Sequence, residues 1–321
     1  MKKLICTSSN DDFIVGTLVM LYSLKKNFKP INEFDIKIYY DSDMKYGNIS
    51  NENKEMIKKV FPNVIFDNNS DKRFRNAFQY GVPELMEMSL SGWLKLKLFS
   101  EFDYDVVMWL DGDMLVHRDF SDVFEIENNP NKLNNFCKPG IIGIDMHHRH
   151  TKVGSRIPSI QTGFLLVYKN YLNETTFQRL TKKYRWDDKI FNQDDDWYTY
   201  RFSKNNEKVK RNRRWGPEGL IKTVFYNEFT ACDVSLNGKG DEKVFKRDDL
   251  GNTMRGDDGN KLYDNREIKD QKIFHWAGCK KPWQKYENGY WGKSNVEDDN
   301  HKDAVTFFNK IWWEYYNEVM E

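Results

Sequence analysis

The stretch VVMWLDGDMLV, residues 106–116, decides how this chain reads. Five apolar residues, Val106 to Leu110, stop at two carboxylates, Asp111 and Asp113, with only Gly112 between them. Apolar residues resume at once with Met114, Leu115 and Val116. A short apolar run bounded by turn chemistry predicts a buried strand. Acids at i and i+2 point the same way if the chain stays extended. Taking two unpaired charges out of water is costly, so the pair needs a positive partner. A hard divalent cation supplies one, because both carboxylates can stay ionised beside it. The carboxyl end of a strand is also where open α/β sheets bind ligands. A solvated turn with capping aspartates is the plain alternative, and the strong apolar strand weighs against it.

On either side of this stretch, strands alternate with helices. KLICTSS predicts a strand, NDD a turn, and FIVGTLVMLYSLKK a helix with apolar residues at helical spacing. FDIKIYYDS and NVIFD read as strands around a helix at NENKEMIKKVF, and SGWLKLKLFSEF reads as a helix leading into Val106. FSDVFE predicts a short helix, GIIGIDM and QTGFLLVYK two strands, NETTFQRLTKKY a capped helix, NQDDDWYTYRF a helix start and KIFHWAG a late strand. Residues 236–270 are polar and rich in Gly and Asp, the composition of a long loop. Such alternation predicts a parallel, doubly wound α/β sheet.

The 321 residues carry 50 Lys+Arg against 49 Asp+Glu, a net charge of +1 that gives no global reason for nucleic acid or an anionic membrane as partner. With 39% hydrophobic and 15% aromatic residues, a sizeable core is available. One large domain is expected over residues 1–290, with 291–321 as a C-terminal helical extension packed on it. No apolar run approaches the roughly 20 residues of a membrane span. MKKLICTSSNDD turns polar too early for an export signal. Cys6, Cys137, Cys232 and Cys279 show no CxxC spacing, so a reduced, cytoplasmic setting is expected.

Several of these segments together resemble glycosyltransferase family 8, the retaining GT-A enzymes that include glycogenin and bacterial galactosyltransferases. CTSSNDDFIVGTLVMLYSLKK and LKLKLFSEFDYDVVMWLDGDMLV carry the resemblance first. QTGFLLVY, NQDDDWY, FYNE and HWAGCKKPW follow in family order, over roughly residues 4–283. The resemblance implies an α/β GT-A fold with a mixed, mostly parallel central sheet flanked by helices. It implies that Thr7, Ser8, Ser9 and Asn10 help hold a uridine and that Phe13 stacks on uracil. Asp111, Asp113 and His275 would bind the metal, Mn²⁺ somewhat better than Mg²⁺ for two hard oxygens and an imidazole. Gly112 lies between the acids, Gly278 would let backbone approach the diphosphate, and Lys281 would neutralise it as a point charge. Lys95 matches the family's basic residue at donor sugar or phosphate, ahead of its neighbour Lys97.

The implied reaction moves a hexose, glucose or galactose, from a UDP-sugar to a hydroxyl of a glycan or protein acceptor, with retention of configuration. Asp194 matches the acidic position beside the donor sugar and Asp195 its neighbour; the choice between them stays open. Gln161 would hydrogen-bond the sugar. Beyond the pair Tyr226-Asn227, glycogenin's self-glycosylated tyrosine is replaced by Val234, which favours a separate acceptor. Two rivals remain: a haloacid-dehalogenase-like phosphatase using Asp111 as nucleophile, which leaves HWAGCKKPW unexplained, and a non-catalytic sugar-nucleotide-binding protein. His147, His148 and His150 lack firm ligand spacing for zinc. The basic run 208–215 has no support elsewhere as a nucleic-acid site. The C-terminal aromatics read as core, with an oligomer surface, such as that of a homodimer, or an acceptor surface as the alternative.

Overall fold

The computed structural model describes residues 1–44, 46–71, 92–125, 141–146, 159–183, 201–202, 208–209, 228–232, 256–258, 268–276, 281–283 and 299–321, with single positions at 217, 221, 224 and 225. The N-terminal alternation folds as strand β1 (Lys3–Ser8), helix α1 (Ile14–Asn27), β2 (Phe34–Tyr40), α2 (Asn51–Val60) and β3 (Ile65–Asn68). Ser50 caps α2 through its side chain, which accepts from Asn53 N–H. The quoted stretch gives β4 (Val106–Leu110) and β5 (Met114–Val116). After them come β6 (Ile141–Met146), β7 (Ser159–Tyr168), α3 (Glu174–Lys183), a two-stranded pair β8 (Arg201–Phe202) and β9 (Lys208–Val209), β10 (Phe229–Cys232), β11 (Ile273–His275) and α4 (Asp299–Met320).

Seven strands form the central sheet in the order β10-β6-β7-β4-β1-β2-β3. Four of its pairings are parallel, but β7 runs antiparallel to both β4 and β6. The sheet is therefore mixed rather than purely parallel. A second small sheet pairs β5 with β11 antiparallel, His275 standing opposite Met114. The segment read as a helix before β4 is helical only at 92–94 and tightens to a 3₁₀ turn over Lys95–Ser100, and 121–125 is 3₁₀ as well.

Alternation along β4 serves both faces of the sheet. Val106, Met108 and Leu110 join the core beneath α1 and α2, while Val107 and Trp109 join the opposite core with Trp93, Leu96 and Phe99. A third cluster, Val19, Leu115, Phe274, Trp276, Phe308 and Trp312, joins α1, the small sheet and α4. Trp283 packs against this cluster, stacked on Trp312 at 5.6 Å. Gly16 makes room for it: a Cβ there would lie 2.2 Å from the Trp283 ring. Cys6 is buried, and burial, with Glu101 nearby, pushes its thiol well up, so it is an inert core thiol.

No described helix is long and apolar enough to cross a membrane. The expected domain limit at 290/291 and most of the predicted 236–270 loop lie outside the described residues.

Candidate active site

Parallel pairing sets Cys6 of β1 opposite Trp109 of β4, so the chain leaving β1 and the chain leaving β4 reach the same edge of the sheet. Thr7, Ser8, Ser9 and Asn10 are buried there beside the acids. Thr7 Oγ1 has no hydrogen-bond partner among the described residues. Ser9 Oγ lies 2.8 Å from Thr17 Oγ1. Asn10 accepts from Phe13 N–H at 2.9 Å and donates to Tyr46 carbonyl at 2.7 Å, so its amide braces the loop that opens α1. Phe13 is half-buried and meets Trp283 edge-on at 5.9 Å.

Asp111 ends the main sheet. Its N–H donates to Gly163 carbonyl at 2.9 Å, which extends the β4–β7 ladder by one bond. Asp111 Oδ1 accepts from Trp109 Nε1 at 2.7 Å and lies 3.0 Å from Lys95 Nζ. Lys95 is only 4% exposed and also donates to Thr162 Oγ1 at 3.3 Å. Lys97 turns away and pairs with Asp67 at 2.9 Å. Asp113 begins the small sheet, its carbonyl accepting from Trp276 N–H at 3.2 Å. Lys281 Nζ donates to Asp113 Oδ2 and to Trp276 carbonyl. His275 Nε2 lies 3.0 Å from Asp113 Oδ1 and 3.8 Å from Asp111 Oδ2.

Burial alone would raise the Asp113 carboxyl, but the Lys281 ammonium and the His275 ring outweigh it and hold the group far below the usual carboxylate range. Asp113 is thus anionic throughout the physiological range. Between them, Asp111, Asp113 and His275 offer one ligand atom each, all within 4.8 Å of one another. Bonds of about 2.1 Å at right angles place neighbouring ligands about 3.0 Å apart, close to the Asp113–His275 separation. Two carboxylate oxygens and an imidazole, with the remaining Asp111 oxygen already satisfied by an indole and an ammonium, suit a divalent cation. A Cβ on Gly112 would lie 2.7 Å from Thr17 Oγ1, so the turn between the acids rests tightly on α1.

Of the residues singled out in the sequence, Thr7, Ser8, Ser9, Asn10, Lys95, Asp111, Gly112, Asp113, His275 and Lys281 fall at or beside this edge, with Phe13 at the mouth of α1. Of Gln161 the structure gives the strand position, opposite Ile144 in β7. Asp194, Asp195, Gly278, Tyr226, Asn227, Val234, His147, His148 and His150 lie outside the described residues, as does the basic run beyond 209. Trp109, one of the five apolar residues of the run, also holds Asp111 Oδ1. The signal for its second role was present: positions 109 and 111 share one face of an extended strand.

A mixed sheet that gathers Asp-x-Asp, a distant imidazole and two buried lysines at one edge defines a GT-A glycosyltransferase. The profile of Glycosyl transferase family 8 matches residues 4–287, and the chain belongs to that family. No curated protein sequence matches it. Among solved structures it is similar to the galactosyltransferase LgtC crystallised with donor and acceptor sugar analogs (TM-score 0.58, 13% identity, 99% of this chain and 96% of that one). It is also similar to the glycosyltransferase GlyE of Streptococcus pneumoniae (TM-score 0.54, 14% identity, 98% and 60%). A third is the bifunctional glycosyltransferase WbbM (TM-score 0.52, 16% identity, 100% and 52%). At these identities the likeness establishes the fold, and the family match establishes glycosyl transfer.

Proposed function

We propose that the chain moves a hexose, glucose or galactose, from a UDP-sugar to a hydroxyl of a glycan or protein acceptor, with retention of configuration and with a divalent cation, Mn²⁺ or Mg²⁺. The observation that carries this reading is the convergence of Asp111, Asp113 and His275 ligand atoms within 4.8 Å at the carboxyl edge of the sheet. These three residues would hold the cation. When bound, it supplies Lewis-acid stabilisation of the negative charge that grows on the departing nucleoside diphosphate.

The chain's own residues do the rest. Trp109 and Lys95 fix one Asp111 oxygen and leave the other aimed at His275. Lys281, almost wholly buried, presents a point charge suited to the diphosphate, and Lys95 one suited to the sugar or phosphate. Thr7, Ser8, Ser9 and Gly112 would line the nucleoside side, Asn10 would keep that loop in place, and Phe13 would face uracil. Gly278 would admit the diphosphate, while Gln161 and either Asp194 or Asp195 would meet the transferred sugar. The site belongs to one GT-A domain, residues 1–290, with 291–321 as its extension. A cytoplasmic setting and a homodimer complete the proposal; the buried Cys6 thiol favours the first and the exposed Phe307 and Trp313 of α4 favour the second.

Calorimetry with a panel of UDP-sugars in the presence of Mn²⁺, followed by assay of sugar release without acceptor, tests the reading. Binding of a UDP-hexose with metal-dependent hydrolysis is the expected result. Failure of every UDP-sugar to bind would overturn it, and cleavage of an aryl phosphate would then favour the phosphatase. Binding without turnover would favour a non-catalytic binder.

A further inference from the structure

Strand β7 carries a glycine where it meets the site, and glycine inside a strand weakens it unless something approaches closely. Gly163 touches two of the three candidate ligands. Its carbonyl accepts from Asp111 N–H at 2.9 Å. Beside its Cα lies the His275 ring: a Cβ on Gly163 would sit 2.5 Å from Cε1 and 2.7 Å from Nδ1, with Met114 Cε at 2.8 Å. The Met114 methyl ends a flexible chain and can move aside. The imidazole has no such freedom, since it is 4% exposed, its backbone pairs with β5 and its Nε2 faces Asp113. Ordinary carbon contacts need about 3.5–4.0 Å, so a methyl group would drive the ring away by about 1 Å. Metal-ligand bonds tolerate only about 0.2 Å.

We propose that Gly163 is a positioning residue that sets the His275 ring against the two carboxylates, so that its missing side chain is a requirement of metal binding. This rests on the metal reading above. Gly163→Ala tests it, because alanine suits strand backbone at least as well as glycine does. Mn²⁺ affinity measured by calorimetry should fall by about tenfold or more. The His275 Cε1–H cross-peak in the NMR spectrum of the metal-free protein should move. In a His275→Ala background, Gly163→Ala should change Mn²⁺ affinity by less than about twofold, since residues in contact are not additive.

Unchanged Mn²⁺ affinity in Gly163→Ala, or effects that simply add in the double variant, would overturn the proposal. If Gly163→Ala does not fold, the double variant decides: recovery of the fold supports the clash with the ring, and continued unfolding overturns it. A wild-type protein that binds no Mn²⁺ defeats the metal reading, whereas an unmoved His275 cross-peak defeats this one.

Discussion

Asp111 and Asp113 stand two residues apart and belong to different parts of the molecule. Asp111 is the last rung of the large sheet, tied by its N–H to β7 and by its carboxylate to Trp109 and Lys95. Asp113 is the first rung of the small sheet, tied by its carbonyl to Trp276 and by its carboxylate to His275 and Lys281. The first set of partners comes from the N-terminal two thirds of the chain, the second from residues beyond 270. Gly112 is the joint between them. A cation held by both acids would therefore clamp two independently built frames, and the Asp113 frame, with its carboxyl far below the usual range, carries the stronger electrostatic commitment.

Replacing each acid separates these frames. Asp113→Asn should abolish Mn²⁺ binding and also take from Lys281, a 3% exposed ammonium, its carboxylate counter-ion, at a stability cost of about 3–5 kcal/mol. Asp111→Asn should lose the metal equally but cost about 1.5–3 kcal/mol, because the Asp111 side chain is the more exposed of the two, 26% against 14%. Thermal unfolding in metal-free buffer measures both, and equal losses would break the asymmetry. The pH dependence has a definite sign. A depressed carboxyl contributes stability that is present above its unfolded value of about 3.9 and is lost as pH falls through the folded value. Below about pH 4 the wild-type protein should thus lose stability more steeply than Asp113→Asn, as acid titrations followed by circular dichroism would show.

Trp283 sharpens the comparison from the C-terminal side, since it seats on Gly16 two residues after Lys281. Trp283→Ala should cost about 3 kcal/mol, the low end for a large ring because it is only half-buried. Its effect should fall on the Asp113 frame, weakening Mn²⁺ binding while leaving the Lys95–Asp111 contact intact in a crystal structure of the variant. The smallest effect is expected from Trp109→Phe. That change keeps the buried ring but deletes the N–H that holds Asp111 Oδ1, so Mn²⁺ affinity should drop by about tenfold. Unchanged affinity would mean that Lys95 alone suffices.

Most of the Asp111 frame was legible in the sequence. Short apolar runs identify β1 and β4, alternation identifies β2, and NENKEMIKKVF reads as the helix α2, because each is decided by its own residues and immediate neighbours. The antiparallel course of β7 was not legible, since QTGFLLVY names a buried strand without naming its direction. The pairing of β5 with β11 was hidden for a different reason. Three-residue strands carry no periodicity, and their partners are separated by more than 150 positions. The 3₁₀ turn at Lys95–Ser100 shares its composition with an α-helix, so LKLKLFS gave no warning. His275 and Lys281 were reached through family likeness rather than spacing, and Gly163 appears only when the imagined Cβ is set against the His275 ring.

The wide separation between Asp113 and its neutralising partners also bears on how the chain must mature. His275 follows Asp113 by 162 positions and Lys281 by 168. While a ribosome is still producing the intervening segment, the newly emerged acid has neither counter-ion and must stay hydrated. The edge that carries it therefore closes late, after the distal strand has returned, so a truncated translation product would be left with an open, water-filled flank in place of a finished site.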